Sequence, residues 1–127
     1  MTGRYNLKVI TEFAAAHRLR DYEGACSQMH GHNWKVEIEA DASSLNELGM
    51  AVDFKVLKEA ARAVLNNLDH RVLNEVTPFD HKNPTAENLA AYLYQALCRQ
   101  VGDPRIRVAA VTVWENDRAC VRYIEEN

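Results

Sequence analysis

The stretch NWKVEIEAD, residues 33–41, decides the fold, because its side chains alternate strictly between apolar and polar types. A period of two over this length is typical of a β-strand that buries one face. The side chains expected to face the core are those of Trp34, Val36, Ile38 and Ala40. Residues 33–41 are therefore predicted to form a strand with the core on one side only.

The segment before this strand alternates in the same way. The core-facing positions of residues 5–16 are Leu7, Val9, Phe13 and Ala15, and His17 continues their parity. Residues 18–29 form a polar connection that is long for a hairpin, and such loops are often functional. In an antiparallel hairpin, the end of the first strand would meet the start of the second.

Two amphipathic helices and two further strands are predicted after the hairpin. Asp53 and Thr85 are suited to cap the helices, and the strands are expected at residues 106–114 and 119–124, joined by a turn at 115–118. The helical stripes are Leu57, Ala60, Ala61, Val64 and Leu68, then Leu89, Leu93, Ala96 and Leu97. The order β-β-α-α-β-β predicts an α+β fold, an antiparallel four-stranded sheet with both helices on one face.

Length and composition exclude several classes of protein. The 127 residues predict a single domain over 1–127, and a net charge of −3 argues against a nucleic-acid binder. No segment approaches the roughly 20 apolar residues of a membrane span, and no signal-peptide pattern is visible. The three cysteines are too few and too scattered for a disulfide framework, so a cytoplasmic location is expected.

The histidines predict a metal site at the end of the hairpin. His30 and His32 have the parity of the second strand's core-facing residues, as His17 has that of the first. All three imidazoles would then project from one side of the sheet at the same end. Three neutral imidazoles with one open position are typical of catalytic zinc, and no carboxylate in these motifs completes an iron triad.

Four other residues are candidates for chemistry, each with a plainer alternative. Cys26 lies in the loop between the histidine-bearing strands, where it could be a thiolate base or a fourth ligand that closes the site. Asp69 and His70 could transfer protons or simply form a polar helix end. Glu115 could accept hydrogen bonds from an amino-pyrimidinone edge or be an acid in a hairpin turn.

An ordered set of motifs resembles a known family along nearly the entire chain. The motifs are FAAAH (13–17), CSQMHGHN (26–33), LDH (68–70), NPTAEN (83–88) and VWE (113–115). Together they resemble the 6-pyruvoyl-tetrahydropterin and 6-carboxy-tetrahydropterin synthases. The resemblance implies the tunnelling fold, in which three subunits form a barrel, two barrels stack into a hexamer, and active sites lie at subunit interfaces.

The resemblance also implies a role for each matching residue. It assigns zinc to His17, His30 and His32, the base to Cys26, the proton relay to Asp69 with His70, the pterin anchor to Glu115, and a weaker ring contact to Thr85. The spacing Cys-x-x-x-His-Gly-His is similar to the carboxy-forming branch, which serves queuosine and related deazapurines. A branch with glutamate before the His-Gly-His pair does not match, because residues 27–29 read SQM.

The implied reaction is carbon–carbon lysis of 7,8-dihydroneopterin triphosphate to 6-carboxy-5,6,7,8-tetrahydropterin, acetaldehyde and triphosphate. Alternatives within the family are 6-pyruvoyl-tetrahydropterin synthase and a pterin side-chain aldolase. Alternatives outside it are a zinc hydrolase and a structural zinc-binding interaction protein with Cys26 as a ligand. Arg18, Arg20 and Lys55 are candidates for triphosphate contact.

Overall fold

The two N-terminal strands form a long antiparallel hairpin in the computed structural model, which describes residues 3–126. Strand β1 (Tyr5–His17) pairs with β2 (His30–Ala42) along its full length. The register sets His17 directly opposite His30. The predicted hairpin and the predicted meeting of its histidine-bearing ends are therefore confirmed.

The sheet has five strands rather than the predicted four, in the order β3-β1-β2-β4-β5. Strands β4 (Arg107–Asn116) and β5 (Ala119–Tyr123) follow β2 antiparallel, as predicted. The additional strand β3 (Arg71–Val72) runs parallel to β1 and makes the sheet mixed. Its two residues are too few to show a period in the sequence, and it depends on a hydrogen bond from His70 N–H to the Ala14 carbonyl.

The two predicted helices are α1 (Phe54–Leu65) and α2 (Ala86–Gln100). Asp53 caps α1 by accepting from the Lys55 N–H at 2.9 Å, and Thr85 caps α2 by accepting from the Asn88 N–H at 3.1 Å. An N-cap of this kind stabilises a helix by about 1 kcal/mol. Within residues 3–126, no helix is long and apolar enough to cross a membrane.

The core lies between the helices and one face of the sheet. Trp34 is fully buried and stacks near Phe13, while the apolar stripes of both helices cover this face. The opposite face carries charge, and its best-formed ion pair joins Glu39 to Arg122 at 3.0 Å. This arrangement leaves the histidine end of the hairpin at the margin of the core, close to the start of α2.

Candidate metal centre and substrate cleft

Three imidazoles meet where the first two strands join. The Nε2 atoms of His17 and His30 lie 3.1 Å apart. One nitrogen from each of His17, His30 and His32 and one oxygen of Glu115 all lie within 4.8 Å of one another. The structure thus brings the three predicted histidines together and adds a carboxylate that the sequence did not place with them.

Backbone carbonyls fix the tautomers of two of these rings. The Nδ1 atom of His17 lies 2.7 Å from the Pro84 carbonyl oxygen, and Nδ1 of His30 lies 2.7 Å from that of Gln28. Because a carbonyl only accepts, each Nδ1 carries the hydrogen, and each neutral ring keeps its lone pair on Nε2. Two lone pairs then face each other across 3.1 Å, an arrangement that a cation between them would stabilise.

The third ring, that of His32, has a nitrogen without a hydrogen-bond partner among residues 3–126. This atom, Nε2, is buried. Oε1 of Glu115 lies 3.2 Å away, but the two atoms do not form a hydrogen bond of normal geometry. A buried polar atom without a partner costs about 1–3 kcal/mol. A metal ion would remove that cost, so the donor set of three imidazoles and a carboxylate fits a metal site.

Burial keeps two of the rings neutral. Desolvation lowers the pKa of His17 below its usual 6.5, and the neighbouring histidines lower it further. Desolvation also lowers the pKa of His32, against the opposing effect of Glu115. Since a metal binds only the unprotonated ring, both shifts favour metal binding near neutral pH.

Trp34 forms the floor of the cluster. Its ring packs edge-to-face against His17 and His32, with centroids 4.8 Å and 5.0 Å apart. Its indole N–H donates to the Ala15 carbonyl at 3.3 Å, which fixes the ring. The alternation of β2 predicted that Trp34 is buried but not that it supports the imidazoles.

Glu115 reaches the cluster from a β-bulge. The pairing of β4 with β5 shifts between Trp114 and Asn116, so Glu115 is the extra residue of the bulge. Bulges often redirect a side chain next to a functional site. The prediction of a turn at 115–118 is wrong for Glu115, because β4 continues to Asn116. The parity of Val111 and Val113 already pointed Glu115 towards the core side.

One cleft joins the cluster to two other predicted residues. His17, Cys26, Thr85 and Glu115 all line a cleft of about 400 Å³. Cys26 is partly buried in a 3-10 turn, where its carbonyl accepts from the Leu19 N–H at 2.8 Å. Thr85 faces the cleft while its hydroxyl oxygen caps α2.

Two asparagines, missed by the sequence analysis, hold the loop that leads to Cys26. The Asn74 side chain bonds to both backbone groups of Arg18, and the Asn83 side chain to both backbone groups of Arg20. Each of these contacts joins residues more than fifty positions apart in the chain, so no local sequence pattern predicts them. Because Arg20 and Asn83 line the cleft, the contacts between them fix part of its wall.

The three candidates for triphosphate contact differ in position. Arg20 lines the cleft of Cys26, and its Nη2 donates to the Asn74 and Phe79 carbonyls, so it also links loops together. Lys55 lies in the first turn of α1, which packs beside the start of β1, at the opposite end of the strand from His17. Arg18 remains a candidate, because its side chain is exposed beside the cleft loop.

Asp69 and His70 pair with each other but lie outside this cleft. Oδ1 of Asp69 is 3.0 Å from Nδ1 of His70 and accepts from the Ala14 N–H at 2.9 Å. The hydrogen bond from Ala14 is the largest cause of a lowered Asp69 pKa. The His70 side chain is 82% exposed and lines a hollow beside β3 that His32 also lines but Cys26 does not. A single chain therefore does not bring the predicted relay to Cys26.

The fold and the histidine cluster define an α+β protein with a candidate metal centre. The chain belongs to the 6-pyruvoyl tetrahydropterin synthase family, whose sequence profile matches residues 6–126. A Synechocystis protein named 6-carboxy-5,6,7,8-tetrahydropterin synthase is 34% identical over 116 residues, covering 87% of this chain and 86% of that protein. A Rickettsia bellii protein of the same name is 33% identical over 99 residues, covering 65% and 72%.

The solved structure of Caenorhabditis elegans 6-pyruvoyl tetrahydropterin synthase superposes with a TM-score of 0.88 at 26% identity, covering 98% of both chains. The resemblance stated from the motifs is thus confirmed at the level of family and fold. The chain is an enzyme of this family with the tunnelling fold.

Proposed function

We propose that this enzyme is a zinc-dependent carbon–carbon lyase that converts 7,8-dihydroneopterin triphosphate to 6-carboxy-5,6,7,8-tetrahydropterin, acetaldehyde and triphosphate. Its product would feed queuosine and related deazapurine synthesis in the cytoplasm. The observation that carries the proposal is the pair of Nε2 lone pairs that face each other across 3.1 Å, one of them on His17, which lines the same cleft as Cys26. The Synechocystis and Rickettsia relatives named for this reaction support it.

His17, His30 and His32 are the proposed zinc ligands. Their Nε2 atoms converge, and the carbonyls of Pro84 and Gln28 set two of the tautomers. Bound there, zinc would act as a Lewis acid towards oxygens of the substrate side chain. The protein's own contribution is to favour the neutral form of His17 and His32 by burial and to orient both rings against Trp34.

Cys26 is the proposed base, which removes a proton from a carbon of the substrate side chain. It lines the same cleft as His17 but, in the part of the chain that the structure describes, does not belong to the group of converging donor atoms. That separation favours a base over a fourth ligand, and so an enzyme over a structural zinc protein.

Glu115 is the proposed anchor for the pterin ring, and Thr85 a second contact. A carboxylate can accept from two ring N–H groups at once, which gives charge-assisted bonds. Thr85 uses an oxygen lone pair as the helix cap, so its hydroxyl hydrogen is free to donate to the ring. Both side chains line the cleft with Cys26.

A relay through Asp69 and His70 requires a second subunit. We propose that copies pair through the edges of their sheets, form trimeric barrels and stack as a hexamer, as the resemblance implies. Among the described residues, β1 meets β3 only at Ala15 and Ala16, so most of that edge is free to pair. Assembly would then carry the exposed His70 of one subunit to the Cys26 cleft of another.

Product analysis tests the proposed reaction. Three residues separate Cys26 from His30, a spacing that resembles the carboxy-forming branch. Purified enzyme given dihydroneopterin triphosphate should yield 6-carboxy-tetrahydropterin with one acetaldehyde per turnover, trapped with a hydrazine and identified by mass. Accumulation of 6-pyruvoyl-tetrahydropterin without acetaldehyde would instead support the second candidate, which the likeness to the Caenorhabditis elegans enzyme favours. Release of the intact side chain would indicate the aldolase.

A further inference from the structure

We propose that Glu115 is the fourth ligand of the metal in the resting enzyme and leaves it when the pterin ring binds. This inference rests on the proposed function, because it adds a second role to the proposed ring anchor. One carboxylate would then bind first the metal and later the substrate. The metal site would be closed until the correct ring enters the cleft.

The first support is distance. Oε1 of Glu115 lies 3.2 Å from Nε2 of His32 and 3.7 Å from Nε2 of His17. Two donors on a tetrahedral zinc ion, with bonds of about 2.0–2.2 Å, lie about 3.3 Å apart. The Nε2 atoms of His17 and His30, at 3.1 Å, have nearly the same separation. Glu115 therefore lies at about the separation expected of two ligands of one ion from His32 and, slightly farther, from His17.

The second support is the state of His32. Its Nε2 is buried and, among residues 3–126, lacks a hydrogen bond of normal geometry, although Oε1 of Glu115 lies 3.2 Å away. A metal ion held by both atoms would satisfy this nitrogen.

The third support is the freedom of Glu115 to leave. It lies on a bulge, its side chain is 31% exposed, and it lines the open cleft. Among residues 3–126, its only recorded ionic contacts are those with His17 and His32. A carboxylate that no arginine or lysine holds can turn towards ring N–H donors with little loss of protein contacts.

The exchange would couple ring recognition to side-chain chemistry. While Glu115 occupies the fourth coordination position of the metal, anions and water would compete poorly for that position. When a pterin edge draws the carboxylate away, a coordination position opens beside the substrate side chain. A triphosphate without the ring would not open the site, which makes Glu115 a specificity-determining residue.

Cobalt substitution tests this without turnover. We would measure Co²⁺ affinity by competition with a chromophoric chelator and record the visible d–d spectrum before and after adding neopterin, which has the ring but no triphosphate. In the wild-type protein, neopterin should change the cobalt spectrum. Glu115→Gln should bind Co²⁺ about 10-fold or more weakly, as loss of supporting metal contacts does elsewhere, and its spectrum should not respond to the ring.

Glu87→Gln is the matched control, because Glu87 lines the same cleft and has the same charge but lies outside the converging group. It should keep wild-type cobalt affinity. Glu115→Asp keeps the charge on a shorter side chain and should also weaken cobalt binding. This variant replaces Glu115→Gln in the test if circular dichroism shows that Glu115→Gln is unfolded.

Wild-type affinity and spectrum in Glu115→Gln would overturn the inference and leave the three-histidine metal site and the proposed function intact. Equal weakening in Glu87→Gln would overturn it too, because the effect would then be one of general charge. A wild-type spectrum that ignores neopterin would overturn the exchange. Absence of cobalt binding to the wild-type histidines would instead refute the proposed function itself.

Discussion

Nε2 of His17 faces Nε2 of His30 at 3.1 Å, because the hairpin register sets these residues directly opposite each other. Pro84 and Gln28 then fix the rings so that neither can donate to the other as a neutral imidazole. The contact is unfavourable without a cation and becomes favourable with one. Metal binding should accordingly stabilise the fold as well as complete the site.

His17→Ala should therefore lose both metal and activity, whereas Cys26→Ala should lose activity and keep the metal. A ligand contributes to metal affinity directly, while a base does not. Metal content by elemental analysis after dialysis against a weak chelator, read beside turnover, separates the two roles. Cys98→Ala, an exposed thiol on α2, is the control and should change neither. Loss of metal from Cys26→Ala would make the thiol a ligand.

The metal-free protein should lose stability as the pH falls below about 6.5. Burial holds the pKa of His17 and of His32 below the ordinary 6.5, so the unfolded chain binds more protons in that range. The stabilisation is fully present above the unfolded value and declines as the pH falls towards the folded values. Urea unfolding at pH 7.5, 6.0 and 5.0 measures it, and His32→Gln should show a shallower decline. An equal decline in that variant would count against the assignment.

Thr85→Ala should lower the free energy of unfolding by about 1 kcal/mol, because it removes the cap that accepts from Asn88. Thr85→Ser keeps a hydroxyl and should retain most of that stability. If Thr85 also contacts the pterin ring, Thr85→Ala should raise the KM more than Thr85→Ser does. A Thr85→Ala variant with normal KM and reduced stability would limit Thr85 to helix capping.

The alternation of the strands was sufficient to predict where the histidines meet. Because side chains alternate along a strand, the sequence alone tells which face of the sheet each residue occupies. An antiparallel hairpin then brings His17 beside His30 and His32. The same alternation places Glu115 on the face of the histidines. The prediction of a turn at 115–118 left this position of Glu115 unnoticed. The bulge at Glu115 depends on pairing with β5, a partner that the local sequence does not specify.

Other features had no local signal at all. Strand β3 is two residues long, and the asparagine contacts with Arg18 and Arg20 join segments far apart in the chain. Motif resemblance grouped Asp69, His70 and Cys26 as one site, yet within a single chain Asp69 and His70 line one hollow and Cys26 lines another. A motif resemblance suggests the role of each matching residue. It does not show how many chains must assemble before those residues come together.

Assembly should be measurable directly. Light scattering coupled to gel filtration should give an oligomer, because pairing of the free β1 edge with β5 of a neighbour covers the exposed backbone of both, and the family resemblance implies that it is a hexamer. Strand β5 also contains Arg122, whose guanidinium donates a hydrogen bond to the Glu39 carboxylate. A proline at Val121 in the same edge strand should interfere with pairing and yield smaller species, while His81→Ala, in a remote exposed loop, should not. A wild-type monomer would contradict the proposed assembly.

Mixed assemblies test whether His70 acts in a neighbour's cleft. Cys26→Ala and His70→Ala should each be inactive, since one lacks the base and the other the relay. If the relay crosses a subunit interface, co-refolded or co-expressed mixtures should regain activity, because some sites would combine an intact Cys26 with an intact His70 from another chain. If both residues act from one chain, no mixture can restore a complete site. The control is Cys26→Ala mixed with Cys26→Ala/His70→Ala, in which no site has the thiol and activity should stay absent. Recovery in the first mixture alone would show that the exposed side chain of His70, which lines a different hollow from Cys26 within its own chain, acts only in the assembly.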